Sequence, residues 1–238
     1  MEATWALNSE AHVRFVQRVP LLHVECIFIS MRKARVIITF ACPKKCPGCC
    51  NTYSDIMSQA KPLTNVKQLK GFDLIMITGG EPMLTPDRVV RLANIFRKVS
   101  PNSEIYLYTA LNQNSSDMSK VIDSVDGIQY TLHAEANDQD VAEFYAFQEL
   151  AKKWASNKSF RLFVDDKMKG ANQLKIVPSV WKRVEVGRWK SEDELKNIQP
   201  GGLPSQEELF ILSSKPKTDV KECMRVKSIK LLELLRSI

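Results

Sequence analysis

The chain has 238 residues, of which 44% are hydrophobic, and it carries a formal net charge of +7. A chain of this length can bury one sizeable core. No apolar stretch approaches the roughly 18 to 20 residues that a membrane-spanning helix requires. The segment Met1–Thr4 lacks the basic residues and following apolar run of a secretion signal. We therefore expect no membrane association and a cytoplasmic location.

The positive charges are scattered along the chain, except that residues 214–238 have a local basic excess. Net charge is evidence about non-specific association and does not define a binding site. A solvated basic surface is the simpler interpretation. A nucleic-acid partner stays open, without a motif in its support.

Short β-branched and aromatic runs alternate with helix-like segments from residue 35 onward, and they are too short to be helices. The predicted strands are Arg35–Phe40, Asp73–Thr78, Ile105–Thr109, Gly127–His133, Phe160–Val164 and Val184–Trp189. Thr85–Pro86 predicts a helix start, and an apolar stripe predicts a second helix from about 138 to 156. Alternation of this kind implies parallel β/α units with right-handed crossovers.

The segments flanking this region are predicted to be extensions. Residues 1–34 form an N-terminal extension, and residues 35–190 form the core. Residues 191–238 form a C-terminal helical segment that packs on the core. Within it, Ser205–Glu208 fits a capping box that starts a helix, and the apolar residues of 231–238 form one face of a closing helix.

Four of the six cysteines lie between positions 42 and 50, which read C-P-K-K-C-P-G-C-C. A disulfide-stabilised secreted domain distributes its cysteines more widely, so this crowding is typical of metal ligands. Cys26 and Cys223 stand alone and are expected to be ordinary buried cysteines.

Cys42, Cys46 and Cys49 have C-x3-C-x2-C spacing. Thiolates are soft ligands suited to iron–sulfur clusters, and three of them can hold three irons of a [4Fe–4S] cluster while the fourth iron stays open. A zinc site is the alternative, and it would need a fourth ligand from Cys50 or a distant histidine.

Residues 77–82 read I-T-G-G-E-P and follow an apolar strand. Glycine permits a close backbone approach that a side chain would forbid. Gly79 and Gly80 could therefore admit a small polar ligand. Taken alone, the motif is explained equally well by a turn from a strand to a helix.

Together, C-P-K-K-C-P-G-C at 42–49 and I-T-G-G-E-P at 77–82 resemble the radical S-adenosylmethionine (radical SAM) superfamily. The resemblance implies an α/β fold, a partial (β/α)6 barrel of the TIM type with N- and C-terminal extensions. The strand pattern alone does not distinguish such a barrel from a doubly wound sheet. The resemblance also implies a [4Fe–4S] cluster and S-adenosyl-L-methionine as cofactors, and an electron donor of the flavodoxin or ferredoxin type.

The same resemblance assigns roles to particular residues. The cluster ligands would be Cys42, Cys46 and Cys49, and the residues that meet SAM would be Gly79, Gly80, Glu81, Pro82, Thr109 and Thr131. We expect a side chain at Gly80 to block SAM while leaving the cluster loop, which is separate in the chain, intact. His133 would face the mouth of the cavity or serve as a hydrogen-bonded residue at a strand end. Cys50 is expected to be buried beside the cluster.

The substrate stays open among a small molecule, a nucleotide and a glycyl-radical protein. The string C-P-G-C-x-N at 46–51 is similar to the activating enzymes of anaerobic ribonucleotide reductases, which favours a glycyl-radical activating protein. A 7-carboxy-7-deazaguanine synthase-like enzyme has a comparable size, although the family usually has D-T where this chain has Cys50–Asn51. The non-enzymatic alternative is a zinc-binding or electron-carrier module.

Overall fold

The computed structural model describes residues 31–44, 46, 48–199 and 201–212. These residues contain eight strands in one sheet and five α-helices. The strands are β1 Lys33–Ile37, β2 Lys61–Leu63, β3 Leu74–Thr78, β4 Glu104–Thr109, β5 Gly127–Leu132, β6 Ser159–Asp165, β7 Arg183–Gly187 and β8 Glu207–Leu212. The helices are α1 Ser54–Ser58, α2 Pro86–Val99, α3 Ser115–Ser124, α4 Asp138–Ala151 and α5 Glu192–Ile198.

All neighbouring strands are parallel, in the order β2-β8-β1-β3-β4-β5-β6-β7. From β1 the strands β3 to β7 follow in chain order and in one direction. Right-handed crossovers then place successive helices on the same face of the sheet, as in a barrel. A doubly wound sheet would instead reverse direction at a switch point. The sheet has free edges at β2 and β7, so the predicted α/β partial barrel is confirmed, with eight strands in the described residues where six were expected.

One face of the sheet, which we call the outer face, is buried beneath α2, α3 and α4. Alternate residues of the central strands point to it, and Tyr130 and Phe160 are fully buried there with Phe96, Phe144 and Phe147 of the helices. Burying one such aromatic side chain contributes about 1.5–3 kcal/mol. The helix starts match the sequence pattern, because Pro86 is the first residue of α2 and the Asn137 side chain caps α4.

The opposite, inner face carries the intervening residues of each strand. Helices α1 and α5 pack on it only beside β1 and β8, where Ile56 and Leu195 meet Ile37 and Leu209. The inner-face cluster on β3 and β4 contains strand residues alone. Among the described residues, no helix packs on the part of the inner face formed by β4 to β7.

Two strands were missed and one local prediction is wrong. Glu207–Leu212 does not begin a helix at a capping box, since it forms β8 and pairs with β1. The short edge strand β2 was not predicted at all. The division of the chain at residues 34/35 and 190/191 stays a prediction, although β8 places part of the last segment inside the sheet. Residues 1–30 and 213–238 lie outside the described residues, and with them Cys26, Cys223 and the expected closing helix.

In the described ranges, no helix combines the length and the apolar character needed to cross a bilayer.

Candidate metal centre

The cysteine loop follows β1 directly and lies at the carboxyl ends of the parallel strands. Cys42 is exposed, whereas Cys46 and Cys49 are half-buried. The atoms around Cys42 still desolvate it in part, which raises the pKa of its thiol, and the charge of Cys49 raises it further. Burial likewise raises the pKa of Cys46, and a hydrogen bond with Glu135 and the charges of Cys42 and Cys49 add to this effect. Each of these two thiols is thus influenced by the charge of Cys49.

Cys50 is half-buried and packs against apolar residues on the inner face. It packs beside the cluster of Ile37, Tyr53 and Ile56. Burial raises the pKa of its thiol, and the positive charge of Arg35 opposes that rise. Cys50 thus has an apolar packing role, and the assignment of Cys42, Cys46 and Cys49 as the ligand set stays a prediction.

The glycine pair is held against the start of the cysteine loop by backbone hydrogen bonds. The Gly80 N–H donates to the Thr39 carbonyl at 2.7 Å, and the Glu81 N–H donates to the Ala41 carbonyl at 2.8 Å. A Cβ atom would come within 2.3 Å of the Thr39 carbonyl oxygen at Gly79 and within 2.2 Å of the Ala41 oxygen at Gly80. The chain's own backbone thus accounts for both glycines, and the expectation that Gly80 is independent of the cysteine loop is wrong.

The other end of the loop returns to the same place. The Asn51 side-chain amide donates to the Gly79 carbonyl at 2.6 Å. Asn51 lies two residues after Cys49, so this bond holds the C-terminal end of the cysteine loop. The hydrogen bond to the Ala41 carbonyl holds its N-terminal end. The asparagine of the C-P-G-C-x-N string therefore has a structural role.

Glu81 is 2% exposed, and its carboxylate fastens the end of β3 to the end of β4. It accepts hydrogen bonds from the Met83 N–H at 2.8 Å, the Thr109 hydroxyl at 2.7 Å and the Ala110 N–H at 2.9 Å. Burial raises the pKa of Glu81, and these hydrogen bonds oppose the rise. Thr109 was expected to face SAM. Its hydroxyl instead donates its hydrogen bond to Glu81.

The end of β5 brings further predicted residues to the mouth of the barrel. Thr131 is buried in β5, in register with Phe163 of β6. His133 follows the strand, and its ring stacks on Trp189 with centroids 5.8 Å apart. The ring centroids of Trp189 and Phe163 also lie 4.9 Å apart. Burial lowers the pKa of His133, and its Nδ1 atom is buried without a hydrogen-bond partner.

Sequence reasoning missed the approach of His133 and Glu135 to Cys46. One ligand atom from each of these three residues lies within 4.8 Å of the others. A sulfur, a nitrogen and an oxygen donor in such a group suit Zn²⁺. Because the residues come from the β1 loop and the β5 end, only the folded sheet brings them together.

A buried ion pair anchors the middle of the loop to α4. The Lys44 ammonium lies against the Asp140 carboxylate, and both side chains are largely buried. Asp140 also accepts a hydrogen bond from the Asn137 N–H at 3.0 Å, so it caps α4 at the same time. Beside this pair lies a cavity of about 420 Å³ whose lining includes Glu135 and Glu143.

The sequence matches the model of a protein family described as a 4Fe–4S single cluster domain, over residues 33–140. The match supports iron–sulfur binding. The matched range contains the three cysteines, and this soft donor set fits a [4Fe–4S] cluster. No curated protein matches the chain.

Among solved structures, a crystal structure of 3-hexulose-6-phosphate synthase is similar at 13% identity. The likeness covers 87% of this chain and 86% of that one, with a TM-score of 0.37. A likeness at this level adds nothing to the fold described above.

We expect Gly80→Ala to lower both stability and iron content. The new Cβ collides with the Ala41 carbonyl, which must move, and Cys42 is the next residue. Overpacking of this kind costs about 1–3 kcal/mol, to be measured by urea unfolding together with iron analysis. Gly187→Ala is the matched control, because its Cβ would meet only Phe163 at 4.0 Å. A Gly80→Ala protein with full iron content and stability would contradict the proposed contact.

We expect Thr109→Val and Glu81→Gln each to destabilise the fold by about 1–3 kcal/mol, because each leaves a buried polar group without its partner. The loss in the double variant should differ from the sum of the two by about 0.5 kcal/mol or more, since both changes act on the hydrogen bonds of one buried side chain. Denaturant unfolding measures all three, with Glu104→Gln on an exposed position as the control. Additive losses would show that the two side chains act independently.

Proposed function

We propose that this protein is a radical SAM enzyme. Cys42, Cys46 and Cys49 hold a [4Fe–4S] cluster, and the enzyme cleaves S-adenosyl-L-methionine reductively to a 5'-deoxyadenosyl radical that abstracts hydrogen from a substrate. The observation that carries the proposal is the direct hydrogen bonding of the three-thiol loop to the Gly-Gly-Glu-Pro segment at the carboxyl ends of an open parallel barrel. The two motifs form one site.

The thiolates and the glycine segment have separate roles at this site. A reduced cluster with one open iron supplies the electron that breaks a carbon–sulfur bond of SAM. The three thiolates leave that iron open. Among the backbone carbonyls of the Gly-Gly-Glu-Pro segment, the Gly80 carbonyl accepts none of the described hydrogen bonds. This carbonyl can accept a hydrogen bond from the amino group of SAM. Pro82, in the same segment, has no backbone N–H to donate. Thr131 and His133 lie at the end of β5, two strands away from the glycine segment.

The partners follow from the chemistry and the charge. The cluster needs an electron donor, and a net charge of +7 favours association with an acidic flavodoxin- or ferredoxin-type protein. The similarity of C-P-G-C-x-N to ribonucleotide reductase activating enzymes supports a glycyl-radical protein as one substrate class. A 7-carboxy-7-deazaguanine synthase-like reaction on a small nucleotide precursor is the other.

A zinc-binding module is the second candidate, because His133 lies beside Cys46. The Cys46 thiolate, this imidazole and the Glu135 carboxylate would supply three ligands of a zinc site, and Cys42 or Cys49 would have to supply the fourth. An enzyme cluster and a closed zinc site differ in whether the metal needs His133, so the two functions can be separated by experiment.

The test is anaerobic reconstitution with iron and sulfide, followed by dithionite and SAM. We expect an iron–sulfur chromophore and formation of 5'-deoxyadenosine. Replacing Cys42, Cys46 or Cys49 by Ala should remove most of the iron and all cleavage, whereas Cys50→Ala should retain both. Stoichiometric zinc with no iron chromophore would overturn the proposal.

His133→Ala distinguishes the two candidates without an activity assay. If the cluster is held by three thiolates, this variant keeps the iron content of the wild type. If His133 is a zinc ligand, the variant loses zinc affinity by well over tenfold, as measured by competition with a chelator. His12 and His23 lie outside the described residues, so the wild-type protein serves as the reference.

A further inference from the structure

Four polar side chains lie in register across the inner face of β4 to β7. Tyr108, Gln129, Arg161 and Arg183 are paired strand to strand. Side chains alternate between the faces of a sheet. The neighbours of this row along its strands, such as Leu107, Ile128 and Leu162, are buried against the outer helices. The row therefore points to the inner face, and each of its members carries a hydrogen-bond donor.

Arg161 is the member of this row whose charge is least compensated. Its guanidinium lies 4.6 Å from the centroid of the Tyr106 ring and donates to the Tyr106 hydroxyl at 3.3 Å. Arg183 pairs with Glu185 at 3.1 Å, and Arg35 pairs with Glu207 at 2.5 Å. In the described part of the chain, no carboxylate comes within 4.0 Å of Arg161. Most of the five donors of this guanidinium are free for a ligand.

The row lies beneath the cysteine loop. Arg35 connects the two, because its guanidinium lies 5.7 Å from the centroid of the Tyr108 ring. Its positive charge also opposes the burial-driven rise in the pKa of Cys50, at the exit of the loop. Arg35 and Arg161 both lower the pKa of Tyr108 against the effect of burial. Two guanidinium groups and the Glu207 carboxylate leave this part of the inner face with a net positive charge.

Arg161 lies well below the carboxyl end of its strand. Arg161 precedes Asp165, the last residue of β6, by four positions. At about 3.3 Å per residue, this places the row roughly 13 Å below the mouth where the cysteines lie. Thr131 and Phe163 line the intervening level. A substrate seated there could have one end at the row and its reacting end near the cofactor.

We propose that Arg161, with Gln129 and Tyr108 beside it, binds an oxyanion group of the substrate, a carboxylate or a phosphate, and that Arg183, which is exposed and paired with Glu185, lies outside this site. Guanidinium forms parallel hydrogen bonds to both kinds of group, and Gln129 and Tyr108 can add single donors. The inference rests on the proposed function, because it takes the bound molecule to be the substrate of the radical reaction. It names the substrate class as anionic.

The test uses the cluster-loaded protein without SAM and measures binding by isothermal titration calorimetry. Inorganic phosphate and succinate are the two probes, and the stronger one identifies the kind of oxyanion. We expect Arg161→Gln to weaken binding of that probe at least tenfold and Arg161→Lys to weaken it less, because lysine keeps the charge without the planar fork. Arg183→Gln, in the same row but exposed and already paired, should change it by less than threefold.

Circular dichroism and iron content establish that each variant is folded and loaded. Equal probe affinity in the wild type and Arg161→Gln would overturn the inference, as would an equal loss in Arg183→Gln. The proposed function is judged separately by the formation of 5'-deoxyadenosine in the absence of substrate. A protein that cleaves SAM but binds neither probe refutes only the anion site, whereas one that binds a probe but cannot cleave SAM refutes the proposed function.

Discussion

The backbone pairing between Thr39–Ala41 and Gly79–Glu81 is the contact on which the rest of the site depends. It continues the hydrogen-bond ladder between β1 and β3 beyond the ends of both strands. The continuation starts where the Ile38 N–H donates to the Thr78 carbonyl. Backbones this close leave no space for a Cβ atom, so the pairing requires glycine. The same segment carries Glu81, whose carboxylate extends the connection to Thr109 and Ala110 of the neighbouring strand end. The position of the cysteine loop is thereby fixed to three adjacent strands.

The two faces of the sheet divide stability from chemistry. The outer face is apolar and covered by helices. The inner face holds ionised groups at a cost in desolvation, which a hydrogen-bonded partner offsets. Burial alone would lower the pKa of Arg35, and the Glu207 carboxylate more than reverses this effect. Strand β8 thus neutralises Arg35, while Arg161 on β6 keeps its charge available. The stacking of Arg161 on Tyr106 holds this second guanidinium in place without neutralising it.

The sequence predicts the parts of this molecule that depend on local pattern. Six strands and the start of α2 follow from apolar runs and from Thr85–Pro86, and the three cysteines follow from their spacing. Strand β2 has three residues and includes Pro62, so it leaves no recognisable pattern. Strand β8 is preceded by a Ser-x-x-Glu sequence that favours a helix start, and only its pairing with β1 decides the matter. The direction of the Glu81 side chain could not be predicted either, because a loop has no periodicity from which to read it.

The approach of His133 to Cys46 shows why the site needs the whole fold. Strands β1 and β5 are three positions apart in the sheet, which corresponds to about 14 Å between their axes. Their ligand atoms nevertheless lie within 4.8 Å, so the cysteine loop must reach across the mouth of the barrel. A loop that extends so far needs fastening along its length. Ala41 fixes its entry, Lys44 holds its middle on α4, and Asn51 fixes its exit. The residues around the cysteines therefore determine where the thiols lie.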